Sequence, residues 1–318
     1  MKEIKKYTEI LFYSKWDSIE EWQKVFDKKN IKLLKWPSDF KDKTNYYNIK
    51  YAIVWDPSEK MWQYFPNLKL IQSLGAGVDH ILTKNPPKNC VITRLEDPNL
   101  TNQMTEYTIL SVLMCYRKYF QYNELKNKKK WNQISPFKAE EFKITVLGYG
   151  NIAKNIVKEL LRFGFKINVW ANKKRHLTKT KYYYGRKQLY KSVQESNCLI
   201  NLLPHTSSTY NIINSSIFKI LAPEAYFINI GRGKTVDEKD LIYALENKLL
   251  NGAILDVFKN EPLKKSNKLY TLKNVFITPH IAGITNPTNY AANILIQNIK
   301  SLNTKNKIKN RISLAKEY

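Results

Sequence analysis

Residues 142–161 read FKITVLGYGNIAKNIVKELL, an apolar strand-like run that enters Gly148-Tyr149-Gly150-Asn151-Ile152-Ala153 and continues as a helical pattern. Glycines at such a corner allow backbone with positive φ and no Cβ, so a pyrophosphate can lie against the amides of a helix N-terminus. A G-x-G-x-x-G match alone is a weak signal, and the strand, turn and helix around it supply the context. Ala153 stands at the third glycine position and is still small enough for close packing of helix on strand. The reading is a dinucleotide-binding turn.

Working outward, short apolar segments at 10–13, 31–34, 52–55, 70–74 and 91–93 alternate with helical patterns, the rhythm of a parallel sheet. The spacing predicts a long helix over 99–127, with Thr101 as N-cap and Met104, Ile109, Val112, Leu113 and Tyr116 on its apolar positions. After the polar, aromatic connection WNQISPFKAEEF and the nucleotide strand come five further strands, at 168–170, 198–203, 225–230, 253–257 and 275–278. This predicts an α/β fold of two domains. A Rossmann doubly wound parallel sheet spans 99–289, and a smaller α/β substrate domain is built from 1–98 and 290–318. It is discontinuous because the final helix, 290–302, has the apolar spacing to pack back on it.

The 318 residues suffice for two cores, and 43% hydrophobic content is ordinary for a globular protein. No apolar run approaches the roughly 20 residues of a membrane span. The start MKEIKKYTEILFY lacks the apolar core and cleavage site of a signal peptide, so a cytoplasmic protein without a membrane partner is expected. Cys90, Cys115 and Cys198 are widely spaced, lie in apolar stretches and form no C-x-x-C pair, so they read as buried thiols with no metal role.

A formal charge of +26 raises the question of nucleic acid. Of the 53 basic residues only seven are Arg, and the Lys are scattered among Asn, Ile and Tyr, the mix an AT-rich genome would produce. The dense clusters are 126–130, which closes a helix, and 173–175. No nucleic-acid partner is expected.

Three polar side chains sit just past predicted strand ends, on the rim where open α/β sheets bind ligands: Arg232 in INIGRGK, Glu261 in LDVFKNEPL and His280 in FITPHIAG. An imidazole can protonate a carbonyl oxygen as hydride reaches its carbon, and a carboxylate beside it holds the ring. Glu261 fits that second role. Arg232, a planar donor fork between glycines, suits a bidentate grip on a carboxylate and polarisation of an adjacent keto oxygen. His80, His176 and His205 lack this strand-end company.

The segments YAIVWDPS, QSLGAGVDHIL, TRLEDPNLTNQMTEYTI, LINLLPHT, NIGRG, GAILDVFKNEPL and ITPHIAGIT extend the pattern over nearly the whole chain. Together they resemble the D-isomer-specific 2-hydroxyacid dehydrogenase family, most closely its glyoxylate/hydroxypyruvate reductase A branch. The resemblance implies that Arg232, Glu261 and His280 are the catalytic set, that the substrate is a small 2-keto acid, and that the substrate domain is flavodoxin-like. It implies that the amides of Leu74-Gly75-Ala76-Gly77 hold the substrate carboxylate, and that Leu203, Pro204 and Ile230 line the cofactor. It also gives Asp256 the nicotinamide carboxamide, where the alternative is an acid capping nearby amides. Trp55 and Trp131 correspond to pocket aromatics, the latter donated by a neighbouring subunit of a homodimer; core or interface packing is the other reading of both.

Cofactor choice follows from the residues after Trp170. An NAD-specific fold places an acid about 20 residues beyond the first glycine. Here Ala171, Asn172, Lys173, Lys174 and Arg175 supply no acid and three cations, which suit a 2′-phosphate. NADPH is expected and NADH is less favoured. The branch's usual Ser-Arg is replaced by Ala171-Asn172, so the phosphate grip falls to Lys173, Lys174 or Arg175. Gly231 replaces an Ala, which is expected to loosen the turn, and Asn286 replaces a basic residue, which bears on substrate range. The competing readings are an NAD-dependent D-lactate or phosphoglycerate type dehydrogenase and a nucleotide-sensing, corepressor-like binding protein.

Overall fold

The computed structural model describes residues 8–15, 17–40, 46–285 and 287–317. The chain divides into two compact units, 1–97 with 285–318 and 98–284. The return crossing thus falls at 284/285 rather than 289/290. Asn286 lies outside the described residues.

In the first unit β1 (Thr8–Tyr13), α1 (Ile19–Asp27), β2 (Ile31–Lys35), β3 (Tyr51–Val54), β4 (Leu70–Ser73), α2 (Asp79–Leu82) and β5 (Val91–Thr93) form a sheet of order β2-β1-β3-β4-β5. Every pairing is parallel, and this is the flavodoxin-like order. Alternate strand residues divide between two apolar clusters. Leu11, Ala52, Val54 and Ile71 face one side, while Ile10, Phe12, Ile53 and Leu70 meet Trp22 and Phe26 of α1 on the other.

The second unit begins with α3 (Pro98–Tyr116) and α4 (Tyr119–Asn127). It continues through β6 (Lys143–Leu147), α5 (Asn151–Arg162), β7 (Lys166–Ala171), β8 (Lys181–Tyr184), α6 (Leu189–Val193), β9 (Cys198–Asn201) and α7 (Ser215–Phe218). It ends with β10 (Tyr226–Asn229), α8 (Glu238–Glu246), β11 (Gly252–Leu255) and β12 (Val275–Ile277). The strand order is β12-β11-β10-β9-β6-β7-β8, so the chain reverses direction across the sheet between β6 and β9. That reversal is the topological switch point at which such sheets take ligands. The chain then re-enters the first unit through α9 (Thr288–Thr304), whose Ala291, Ala292 and Leu295 join the cluster around α1. No helix among the described residues is long and apolar enough to cross a membrane.

Two elements differ from the sequence reading. The helix expected over 99–127 is two helices, because Lys118 takes left-handed backbone at φ 58° and breaks the ladder. The break turns Phe120 inward onto the rings of Tyr226 and Phe276. Thr101 lies inside α3 rather than at its cap; Pro98 opens the helix, where its missing N–H has no intrahelical partner to lose. Strand β8 is the second difference. Its KYYY sequence sits half-exposed at the sheet edge and carries no apolar run to mark it.

Gly252 begins β11 with Asn274 O and the Phe120 ring both 2.9 Å from where a Cβ would sit. Gly252→Ala is expected to destabilise the protein by about 1–3 kcal/mol, read from the chemical denaturation midpoint. An unchanged midpoint would show that this packing yields freely.

Candidate active site

Register aligns the strand ends. Leu147 pairs with Asn201, Asn201 with Asn229, Asn229 with Leu255, and Leu255 with Ile277. One residue further along each strand come Gly148, Leu202, Ile230, Asp256 and Thr278. The sheet therefore presents the nucleotide turn and the loops bearing Arg232, Glu261 and His280 along one rim.

Buried polar side chains at these ends must find partners, and in doing so they fasten the loops that follow. Asn201 Nδ2 donates to Asn229 Oδ1 at 2.8 Å and to Thr235 Oγ1 at 2.7 Å, while Thr235 Oγ1 donates to the Arg232 carbonyl at 2.7 Å. Asn229 Oδ1 also accepts from Gly231 N. Arg232 is thereby held at its backbone, and its Nη1 donates to the Gly231 carbonyl at 2.8 Å. Both flanking glycines lie in close approach to neighbouring backbone, and at Gly233 the approach excludes any Cβ. A Cβ on Gly233 would lie 1.9 Å from the Phe258 carbonyl carbon, and one on Gly231 would lie 2.9 Å from Leu203 O. Gly231 thus seats the turn tightly against Leu203, contrary to the loosening expected from its replacement of Ala.

Glu261 and His280 meet. His280 Nδ1 lies 2.8 Å from Glu261 Oε2, and Glu261 Oε1 accepts from Phe258 N at 2.8 Å. Burial pushes the Glu261 carboxyl upward, but hydrogen bonds from His280 and Phe258 N together with the charges of His280 and Arg232 outweigh it and leave the pKa below its ordinary value. The three side chains named from sequence are therefore one electrostatic cluster. His280 itself adopts φ 57°, a conformation uncommon outside glycine, and its N–H donates to Asp256 O at 2.9 Å.

Asp256 is buried, and its carboxylate accepts from Ile281 N at 2.7 Å, Ala282 N at 2.9 Å and Thr278 Oγ1 at 2.6 Å. These are the contacts of an acid capping nearby amides, the second of the two readings of this residue. Tyr107, Thr278, Asn201 and Asn229 were not singled out from sequence. The one available signal was a polar residue closing an otherwise apolar strand, as in CLIN and YFIN.

The nucleotide turn has the form a pyrophosphate needs. Gly148 has φ 100°, with Leu202 O 2.9 Å from its would-be Cβ, whereas a Cβ on Gly150 would meet nothing within 4 Å. Gly150 precedes α5, whose first turn, starting at Asn151 and Ile152, carries no acid. Beyond β7, Asn172, Lys173, Lys174 and Arg175 are exposed, and the Arg175 guanidinium lies 5.6 Å from the Tyr149 ring centroid. A cation thus stands over the turn itself. Leu203 and Ile230 are buried at the adjacent strand ends, and the Pro204 carbonyl accepts from Thr209 Oγ1 at 2.6 Å. These residues fit a phosphorylated dinucleotide.

In the first unit, Ser73 Oγ accepts from Gly75 N at 3.2 Å and donates to Gly77 O at 2.9 Å, which closes the loop at 74–77. Among the described residues neither Ala76 N nor Gly77 N has an acceptor. The Trp55 ring packs at Gly75, where a Cβ would come within 2.4 Å, and lies 4.1 Å from the His80 ring. Trp131 is 100% exposed, so it forms no part of this chain's core.

The family model described as D-isomer specific 2-hydroxyacid dehydrogenase, NAD binding domain, matches residues 109–282. A Serratia proteamaculans protein named glyoxylate/hydroxypyruvate reductase A is 35% identical over 299 residues, covering 90% of this chain and 94% of that protein. A Klebsiella pneumoniae protein of the same name is 33% identical over 287 residues, covering 88% and 90%. Among solved structures, a Xanthobacter autotrophicus D-isomer specific 2-hydroxyacid dehydrogenase in complex with NADPH and MES aligns with TM-score 0.90 at 29% identity, covering 98% of this chain and 100% of that one. An NADPH-dependent glyoxylate/hydroxypyruvate reductase from Sinorhizobium meliloti, in complex with NADP and sulfate, aligns with TM-score 0.88 at 26% identity and the same coverage.

Because the folded pKa of Glu261 is depressed, its contribution to stability is fully present above its ordinary value of 4.5 and is lost as pH falls through the folded value. The melting-temperature gap between wild type and Glu261→Gln is expected to narrow between pH 6 and pH 3. A gap constant over that range would remove the pairing from the stability of the site.

Proposed function

Since the chain belongs to the D-isomer specific 2-hydroxyacid dehydrogenase family, we propose that it reduces glyoxylate or hydroxypyruvate to the 2-hydroxy acid with NADPH. The observation that carries this reading is the Glu261 carboxylate bonded to His280 Nδ1 at 2.8 Å, on the same strand-end rim as the Arg232 loop. It supports reading these groups as a proton donor, the group that orients it and an anion-binding fork.

Arg232 takes the substrate carboxylate through its planar fork and polarises the neighbouring keto oxygen. His280 delivers a proton from Nε2 to that oxygen while Glu261 fixes the ring through Nδ1. NADPH, when bound, supplies the hydride that completes the alcohol. The amides of the 74–77 loop are assigned to the substrate carboxylate, with Trp55 packed against Gly75 to shape that loop. Gly148, Gly150, Asn151 and Ile152 are assigned to the pyrophosphate, and Leu203, Pro204 and Ile230 to the surface beneath the nicotinamide half. Asp256 acts there by fixing the His280 loop.

The 2′-phosphate is assigned to Arg175, with Asn172, Lys173 and Lys174 around it. The active form is a homodimer in a reducing, cytoplasmic setting, which suits a chain whose cysteines are free thiols. A fully exposed Trp131 in an irregular segment is supporting evidence for that interface, since large aromatic side chains are enriched at interfaces.

Steady-state kinetics with both keto acids and both cofactors tests the proposal. NADPH is expected to be strongly preferred, and equal use of NADH would contradict the phosphate assignment. Arg175→Ala is expected to raise the KM for NADPH about tenfold or more, the worth of a charge-assisted hydrogen bond, and to leave the KM for NADH little changed. His280→Ala is expected to lower kcat by about 10² to 10⁴; a near-normal rate would take His280 out of the mechanism.

A further inference from the structure

The loop carrying His280 is anchored on α3, and one of the anchors is polar and reaches the Asp256 carboxylate. Tyr107 Oη and Thr278 Oγ1 are 2.6 Å apart, and Thr278 Oγ1 is 2.6 Å from Asp256 Oδ1. The direction of this chain follows from proton counting. A carboxylate only accepts, so the single Thr278 hydroxyl proton goes to Asp256, and Thr278 Oγ1 must accept from Tyr107. Tyr107 is therefore the terminal donor. Burial raises its pKa, which keeps that proton in place across the working range. Two more contacts tie the same loop to the same helix. Ile284 N donates to Gln103 Oε1 at 2.8 Å, and Gly283 packs where a Cβ would lie 2.4 Å from Leu100 Cδ1.

Resting on the reductase reading above, we infer that Tyr107 is a positioning residue for the proton donor: its hydroxyl completes the Tyr107, Thr278, Asp256 chain that holds the His280 backbone at positive φ and aims the ring at Glu261. Tyr107 touches neither His280 nor the reacting atoms. It acts by satisfying Thr278, which leaves Asp256 free to accept from Thr278, Ile281 and Ala282 together and to receive His280 N at its own carbonyl. Without that donor, the Thr278 oxygen loses its hydrogen bond, its own donation to Asp256 weakens, and the left-handed turn at His280 loses one of its constraints. Networks of this kind act as a unit.

The test uses full-length protein and the keto acid that the wild type reduces faster. Tyr107→Phe keeps the ring and removes only the hydroxyl. It is expected to lower kcat about 3- to 10-fold, the worth of one neutral hydrogen bond, with the KM for NADPH unchanged within twofold. The primary isotope effect from 4-deuterated NADPH is expected to rise as the chemical step becomes more limiting. Thr278→Val should lose a similar factor, Thr278→Ser should recover it by restoring the hydroxyl, and the double variant Tyr107→Phe with Thr278→Val should be no slower than Thr278→Val alone. The inference is overturned if Tyr107→Phe keeps the wild-type kcat, if its loss tracks a fall in melting temperature or a rise in the KM for NADPH, or if the two losses multiply. Should the wild type reduce neither keto acid, the reductase reading itself fails, an outcome distinct from these.

Discussion

The buried Asp256 carboxylate is the constraint on which this site depends. A charge taken out of water at the end of β11 must be met by donors, and those available are the Thr278 hydroxyl and the Ile281 and Ala282 amides of the next loop. Meeting them fixes the path of residues 278–282 and forces His280 into left-handed backbone, with its N–H on the Asp256 carbonyl. The imidazole then faces Glu261, whose second oxygen is held by Phe258 N. An acid at one strand end thus fixes the His280 side chain at the end of the next strand. The same logic operates one strand over, where Asn201 and Asn229 satisfy each other and Thr235 while steadying the backbone of Arg232.

The parallel sheet makes this arrangement possible. In-register pairing brings all the strand ends to one level, so groups from residues 148, 232, 261 and 280 need only short loops to share a rim. The glycines of the rim serve distance as much as conformation. Gly233 admits the Phe258 backbone at a separation no Cβ allows, which locks the arginine loop against the glutamate loop. Gly150 has the opposite surroundings, open space in front of a helix N-terminus.

Much of this was legible in the chain. Apolar runs three to six residues long, separated by helical patterns, marked nearly every strand, because strands buried on both faces need continuous apolar sequence. Arg232, Glu261 and His280 stood out as polar groups just past such runs. Strand β8 escaped because KYYY pairs on one side only and is half-exposed. The break at Lys118 escaped because Arg117-Lys118 contains no helix breaker, and tertiary packing of Phe120 dictates the turn. Tyr107 was invisible for a different reason. It reads as one more residue of a helix, and the Thr278 partner of its hydroxyl lies 171 positions away in sequence. The amide-capping contacts of Asp256 likewise became visible only in coordinates that show where its oxygens point.

The most direct test of the account is a crystal structure of the protein with NADPH and oxalate, a mimic of the keto acid. Oxalate bound to the Arg232 guanidinium and within hydrogen-bond distance of His280 Nε2, with Nδ1 still on Glu261, is the predicted result. Oxalate bound away from Arg232, or a His280 ring turned off Glu261 in the complex, would contradict it.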